Sequence, residues 1–176
     1  MAAKSRSVYS QTNASPAEAG TPCATLCFRN RQRVCPIDLR LFRRIVRYTL
    51  DYHVKPKDYE LCFHFVDANE MARLNEQFLD HIGPTDVITF DQNEDGGRLQ
   101  GEIYICPEVA VSQAKQFRTS WQQEIVRYAI HGLLHLQGHD DRSVAGRNKM
   151  KREEDRMVTD AAKHFAIARL QRARLN

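Results

Sequence analysis

Three of the chain's seven histidines fall within nine residues, in the run His131-Gly132-Leu133-Leu134-His135-Leu136-Gln137-Gly138-His139-Asp140-Asp141. A spacing of four puts His131 and His135 on one helix face with Cβ atoms about 5–6 Å apart, so both imidazoles can reach one ion. A third ligand has to arrive from another direction. Gly138 supplies the turn, because glycine accepts the left-handed backbone that ends a helix and lets the chain double back. Either His139 or Asp141 can then approach the two helix histidines. A metal held by three protein ligands keeps a position open for water and lowers its pKa, which suits it to hydrolysis. His139 and Asp140 are the nearby candidates for orienting that water. A peptidase of the H-E-x-x-H type carries its general base directly after the first histidine. Here that position is Gly132, which leaves a phosphodiester as the better-suited substrate.

The elements that must position these residues are readable in outline. Ser120 with Gln123 forms a capping box, and Ile125, Ala129, Gly132, Leu133 and Leu136 form a buried stripe, so the two histidines sit near the end of a central helix. Trp121, the only tryptophan, falls in its first turn and reads as core. Upstream, Ala24–Phe28 reads as a strand and Ile37–Leu50 as a helix with Phe42, Ile45, Val46 and Thr49 inward. Tyr59–Val66 alternates as a half-buried strand. Asp67 and Glu70 cap a helix carrying Met71, Leu74 and Phe78, which Gly83-Pro84 breaks. Val87–Phe90 and Glu102–Cys106 are two more strands around a turn at Asn93–Gly97, and Pro107 opens a helix to about Phe117. A last helix begins near Val144 and presents Met150, Met157, Val158, Ala161 and Phe165. The order β-α-β-α-β-β-α-α-α predicts an α+β domain: a small mixed sheet packed with about five helices, the metal site at the end of a central one.

With 176 residues the chain has length for a single core, expected over residues 23–176. Residues 1–22, rich in Ser, Thr, Ala and Pro without an apolar face, are expected to form a mobile tail. They lack the apolar run of a signal peptide, and no stretch approaches a membrane span, so a cytoplasmic protein without membrane contact is expected. Five cysteines without a C-x-x-C pair point to reduced thiols rather than a disulfide framework or zinc finger. The net charge of +4 conceals segregation: residues 29–57 carry nine Lys/Arg against two acids, residues 58–108 two against twelve, and residues 109–176 thirteen against seven. Arg40, Arg43, Arg44 and Arg47 lie on one segment, a positive field of the kind that attracts phosphate backbones. Arg43, Arg44 and Arg47 are the candidates for contacting substrate.

The run HGLLHLQGHDD resembles the H-G-x-x-H-x-x-G-H-D-H signature of the YbeY family of ribosome-associated endoribonucleases. Leu74-Asn75, Phe78 and Pro84–Phe90 resemble its L-N-x-x-Y…P-T-D-V-L-S-F block. Gly101–Ile105 resembles its G-D-I-x-I strand, and Met150…Glu154 an M-x-x-x-E in its last helix. These blocks keep family order and spacing over about residues 24–160. The resemblance implies a cytoplasmic, zinc-dependent, single-strand endoribonuclease acting in late maturation of the 3′ end of 16S ribosomal RNA and in ribosome quality control. Its partners would be ribosomal RNA and the small ribosomal subunit, with one zinc ion and no small-molecule cofactor. It implies metal ligands at His131, His135 and the position of Asp141. Length agrees, since His139 follows Gly138 too closely to turn back over the helix.

The chain departs from the family pattern in places. The family's third histidine is Asp141, which adds a negative charge but remains a competent zinc ligand. The family's Arg after the aromatic is Leu79, and its Lys-Asp is His81-Ile82. Two other readings remain: a metallopeptidase or other metal hydrolase, and a ribosome-associated binding protein whose metal is structural.

Overall fold

The computed structural model describes residues 2–3, 24–93 and 98–172. Apart from Ala2–Ala3, the tail expected over residues 1–22 lies outside the described residues. Five strands form one mixed sheet: β1 (Ala2–Ala3), β2 (Thr25–Asn30), β3 (Tyr59–Phe65), β4 (Val87–Asp91) and β5 (Leu99–Ile105). Their order is β1-β4-β5-β3-β2. The pairs β2/β3, β3/β5 and β1/β4 are parallel, and β4/β5 is antiparallel. The five helices are α1 (Leu39–Thr49), α2 (Ala68–Leu79), α3 (Pro107–Phe117), α4 (Trp121–Leu136) and α5 (Val144–His164). The α+β architecture is the expected one. None of these helices is long and apolar enough to cross a membrane.

Helix α1 starts two residues later than its apolar pattern suggests. Asp38 caps it, its carboxylate accepting from the amides of Arg40 and Leu41, while Ile37 bridges to Gln171 instead. A π-helical turn, Leu50–Val54, continues the helix, and Lys55 closes it with a left-handed backbone at φ 50°. Asp67 caps α2 by accepting from the Glu70 amide, but the Glu70 carboxylate turns to Arg31 rather than back to the cap. Only half of that capping box forms.

The core lies between one face of the sheet and helices α1, α4 and α5. Phe42 packs edge-on against Phe28, Phe63 and Phe65 at centroid distances of 5.0–5.8 Å. Each fully buried phenylalanine contributes about 1.5–3 kcal/mol by leaving water. Helix α2 covers the opposite face through Met71, beside Val66, Ile88, Phe90 and Cys106.

Helix α4 is buried along nearly its whole length and lies directly on β4 and β5. A Cβ at Gly132 would stand 2.8 Å from Ile103 Cγ2 and 3.0 Å from Thr89 Oγ1. The glycine is therefore required for close approach of helix to sheet. The contact also settles which way position 132 faces: toward the sheet. A glutamate there would enter packed side chains instead of reaching a metal-bound substrate.

Candidate metal centre

The end of α4 closes as a Schellman turn. The Gly138 amide donates to the His135 carbonyl at 2.9 Å and the His139 amide to the Leu134 carbonyl at 3.0 Å, with Gly138 at φ 83°, the arrangement that satisfies a helix's last carbonyls. The reversal carries Asp141 back over the helix. His131 Nε2, His135 Nε2 and a carboxylate oxygen of Asp141 all lie within 4.8 Å of one another. The two imidazole Nε2 atoms are 3.1 Å apart, and Asp141 Oδ2 is 3.9 Å from His135 Nε2. Tetrahedral zinc with bonds of ~2.0–2.1 Å holds its donors about 3.3 Å apart, so the histidines already stand at the required bite.

The far side of each ring explains why the near nitrogens are free to ligate. His131 Nδ1 lies 2.9 Å from Glu154 Oε2 on α5, and His135 Nδ1 lies 3.1 Å from the His139 carbonyl. Both partners are acceptors, so in the neutral form of each ring Nδ1 carries the hydrogen and Nε2 presents a lone pair. Two lone pairs facing at this distance repel unless a cation lies between them. Burial, reinforced by the neighbouring His131, pushes the His135 pKa from 6.5 to about 4, so this ring is neutral at physiological pH, the form a metal takes. The donor set thus fits zinc.

Glu154 is itself held in place. Arg127 on α4 lies 2.6 Å from Glu154 Oε1 and 2.6 Å from Asp155 Oδ1, with Glu124 Oε2 at 3.8 Å. Beside His131 opens a groove of about 340 Å³ lined by Asp86, Gln113, Glu124, Tyr128, Lys151 and others. Asp86 also accepts from the Val87 amide and the Thr85 hydroxyl. The residue therefore shapes the turn into β4 and faces the groove.

The chemistry-bearing candidates divide as follows. His131, His135 and Asp141 converge. His139 contributes its backbone carbonyl to His135, while the Asp140 carboxylate accepts from the Arg142 amide in its own turn at 3.0 Å. Arg43 is committed to the fold, donating to the Leu26 carbonyl at 2.8 Å and lying 4.6 Å over the Phe28 ring. Arg44 lies over Phe165 at 5.6 Å, and Arg47 is exposed in the last turn of α1. Residue reasoning about the histidine run did not single out Glu154 or Arg127. The signal for Glu154 was its place in the M-x-x-x-E block; nothing local marks Arg127.

The family model for endoribonuclease YbeY matches residues 28–162. The chain belongs to that family. A YbeY endoribonuclease from Salinibacter ruber is 33% identical over 130 residues, covering 69% of this chain and 82% of its own. One from Chlorobium luteolum is 41% identical over 96 residues, covering 54% and 69%. A solution structure of TM1509 from Thermotoga maritima shares the fold, with a TM-score of 0.61 at 23% identity over 86% of this chain and 99% of that one. Within the YbeY match, Leu79 is half-buried and packs with the apolar cluster under α2.

Proposed function

We propose that the chain is a zinc-dependent endoribonuclease that cuts single-stranded RNA during maturation of the 3′ end of 16S ribosomal RNA and during quality control of the small ribosomal subunit, in the cytoplasm. The observation that carries the metal reading is the facing pair of Nε2 atoms, 3.1 Å apart with both Nδ1 atoms engaged. Family membership supplies the RNA.

Zinc bound by this triad supplies Lewis acidity and a water activated at neutral pH. His131 and His135 bind as neutral imidazoles, and Asp141 adds one negative charge where the family signature has a histidine. Glu154 and the His139 carbonyl fix ring orientation, so little reorganisation accompanies binding. The groove next to His131 has room for a nucleotide, and Lys151 at its wall offers a cation to a phosphate oxygen. A peptidase reading lacks the base of the H-E-x-x-H pattern, because Gly132 packs on the sheet, and the nearby glutamates are engaged, Glu154 by His131 and Arg127 and Glu124 by Thr119.

The test is metal analysis of protein purified from a ribonuclease-deficient host, with cleavage assays on single-stranded RNA and on casein, each with and without chelator. The expected result is near-stoichiometric zinc and chelator-sensitive RNA cleavage with casein intact. Casein hydrolysis with inert RNA overturns the proposal; zinc with neither activity leaves the metal a structural role.

A further inference from the structure

A second cavity, of about 320 Å³, lies far from the triad, where the start of α1 meets the end of α5. Its walls include Arg40 and Arg44 from α1, His164 and Phe165 from the end of α5, and Arg169 from the short 3₁₀ turn that follows. All three arginines are exposed. Among the described residues none of them has a carboxylate within ion-pair distance, whereas Arg31, Arg98, Arg127, Arg142 and Arg156 each have at least one. The one carboxylate on the wall, Asp38, already accepts the Arg40 and Leu41 amides as the cap of α1. His164 is engaged by Tyr48 and by the Asp160 carbonyl. Three exposed arginines thus line one cavity, Arg44 also lying 5.6 Å over the Phe165 ring, and outnumber its single carboxylate. Such a field is satisfied by an anion with several acceptor oxygens, and guanidinium forks match phosphate geometry in particular.

We propose that this groove is an exosite for the phosphodiester backbone of single-stranded RNA, held by Arg40, Arg44 and Arg169. The assignment of RNA rests on the endoribonuclease reading above. The cavity is too small for a folded partner and is sized for about one nucleotide. Helix α5 spaces it from the metal centre: Glu154, bonded to His131, and His164 are ten residues apart on one helix, ~15 Å along the axis. At ~3.4 Å per stacked phosphate that is about four nucleotides, so only an RNA longer than this engages both places. Arg43, on the same helix and of the same charge, is excluded because its guanidinium is spent on Leu26 and Phe28. It serves as the internal control.

The experiment measures binding of fluorescent single-stranded RNA of about 15 nucleotides and of about 3 nucleotides to the metal-stripped full chain as salt is varied. Neutralising all three arginines (Arg40→Gln, Arg44→Gln, Arg169→Gln) is expected to lower the salt slope for the longer RNA by about 2, at ~0.7 per contact. Binding of the short RNA, which cannot engage both places at once, should fall by clearly less, and zinc stoichiometry after reloading should not change. The three corresponding lysine substitutions should keep the slope, and Arg43→Gln should keep it while lowering the melting temperature. An unchanged slope in a triple variant that still melts cooperatively overturns the exosite, as does an equal loss on both RNA lengths. So does displacement of the long RNA by low-millimolar inorganic phosphate, which would make the groove a simple anion site. Because these are binding measurements without metal, a failed nuclease reading would appear separately, as absent cleavage by the loaded wild-type protein.

Discussion

Two histidine–carboxylate clusters lie on opposite faces of the same sheet, and only one has the makings of a metal site. On the α4 side, His131 and His135 turn their Nε2 atoms toward each other, and their Nδ1 atoms are anchored by Glu154 and a backbone carbonyl. On the other side, His64 of β3 is buried and stacks flat on Tyr104 of β5, with centroids 4.3 Å apart and planes within 6°. Its Nε2 is 3.4 Å from Glu102 Oε2, and neither ring nitrogen makes a hydrogen bond. Glu102 in turn accepts from the Tyr104 hydroxyl at 2.8 Å. Burial and a neighbouring carboxylate are common to both clusters. What separates them is convergence: a second imidazole aimed at the same point, and acceptors behind both rings that fix where the lone pairs go.

The largest effect expected from this comparison is loss of a converging ligand. Asp141→Ala should lower zinc affinity by more than about 100-fold, beyond the 10–100-fold typical of an outer partner. His139→Ala should keep near-stoichiometric metal, since that residue contributes only its carbonyl. Competition titration with a chromogenic chelator measures both, and the reverse pattern would break the assignment of the triad.

Next in size is the support behind the ring. Glu154→Ala should weaken zinc by about 10–100-fold, and Glu154→Gln, which keeps an acceptor oxygen for His131 Nδ1, should recover part of the loss. Equal affinity in wild type and both variants would mean that the tautomer needs no carboxylate. The equivalent change in the second cluster should leave metal untouched. His64→Phe preserves the stack on Tyr104 and gives up the 3.4 Å contact of Nε2 with Glu102 while removing two buried nitrogens that make no hydrogen bond, so zinc content stays the same and stability shifts by no more than ~1 kcal/mol, read from denaturant midpoints. A drop in zinc content there would show that the two faces are coupled.

The smallest effect is on the acid limb. His64, and then the Tyr104 hydroxyl, hold the Glu102 carboxyl below its usual 4.5 against the opposing effect of burial. The folded protein therefore keeps Glu102 ionised at a pH where the unfolded chain takes up a proton. The stability this group contributes is complete above 4.5 and is lost as the pH falls below it. Glu102→Gln should flatten the fall in melting temperature of the metal-free protein across that window and leave neutral pH unaffected. An identical acid limb in the variant would remove Glu102 from the account.

What could be read from the amino-acid order alone was whatever depends on neighbours within about one helical turn or one strand. The i, i+4 spacing of His131 and His135, the reversal at Gly138, the caps at Asp67 and Ser120, and the alternation of Tyr59–Phe65 are all local consequences of backbone periodicity. The tertiary structure decided the rest. Parallel pairing of β2, β3 and β5 depends on how α1 and α2 cross opposite faces of the sheet, which no strand records in its own residues. Glu154 stands 23 residues from His131 and becomes its partner only because α5 packs on α4. Arg43 and Arg44 are adjacent and alike in the sequence, yet successive helical positions point about 100° apart. One closes on a strand carbonyl, and the other faces an open groove. Side-chain type and helical spacing determine which groups can do chemistry, whereas the direction each group faces and the partner it meets are set by long-range packing.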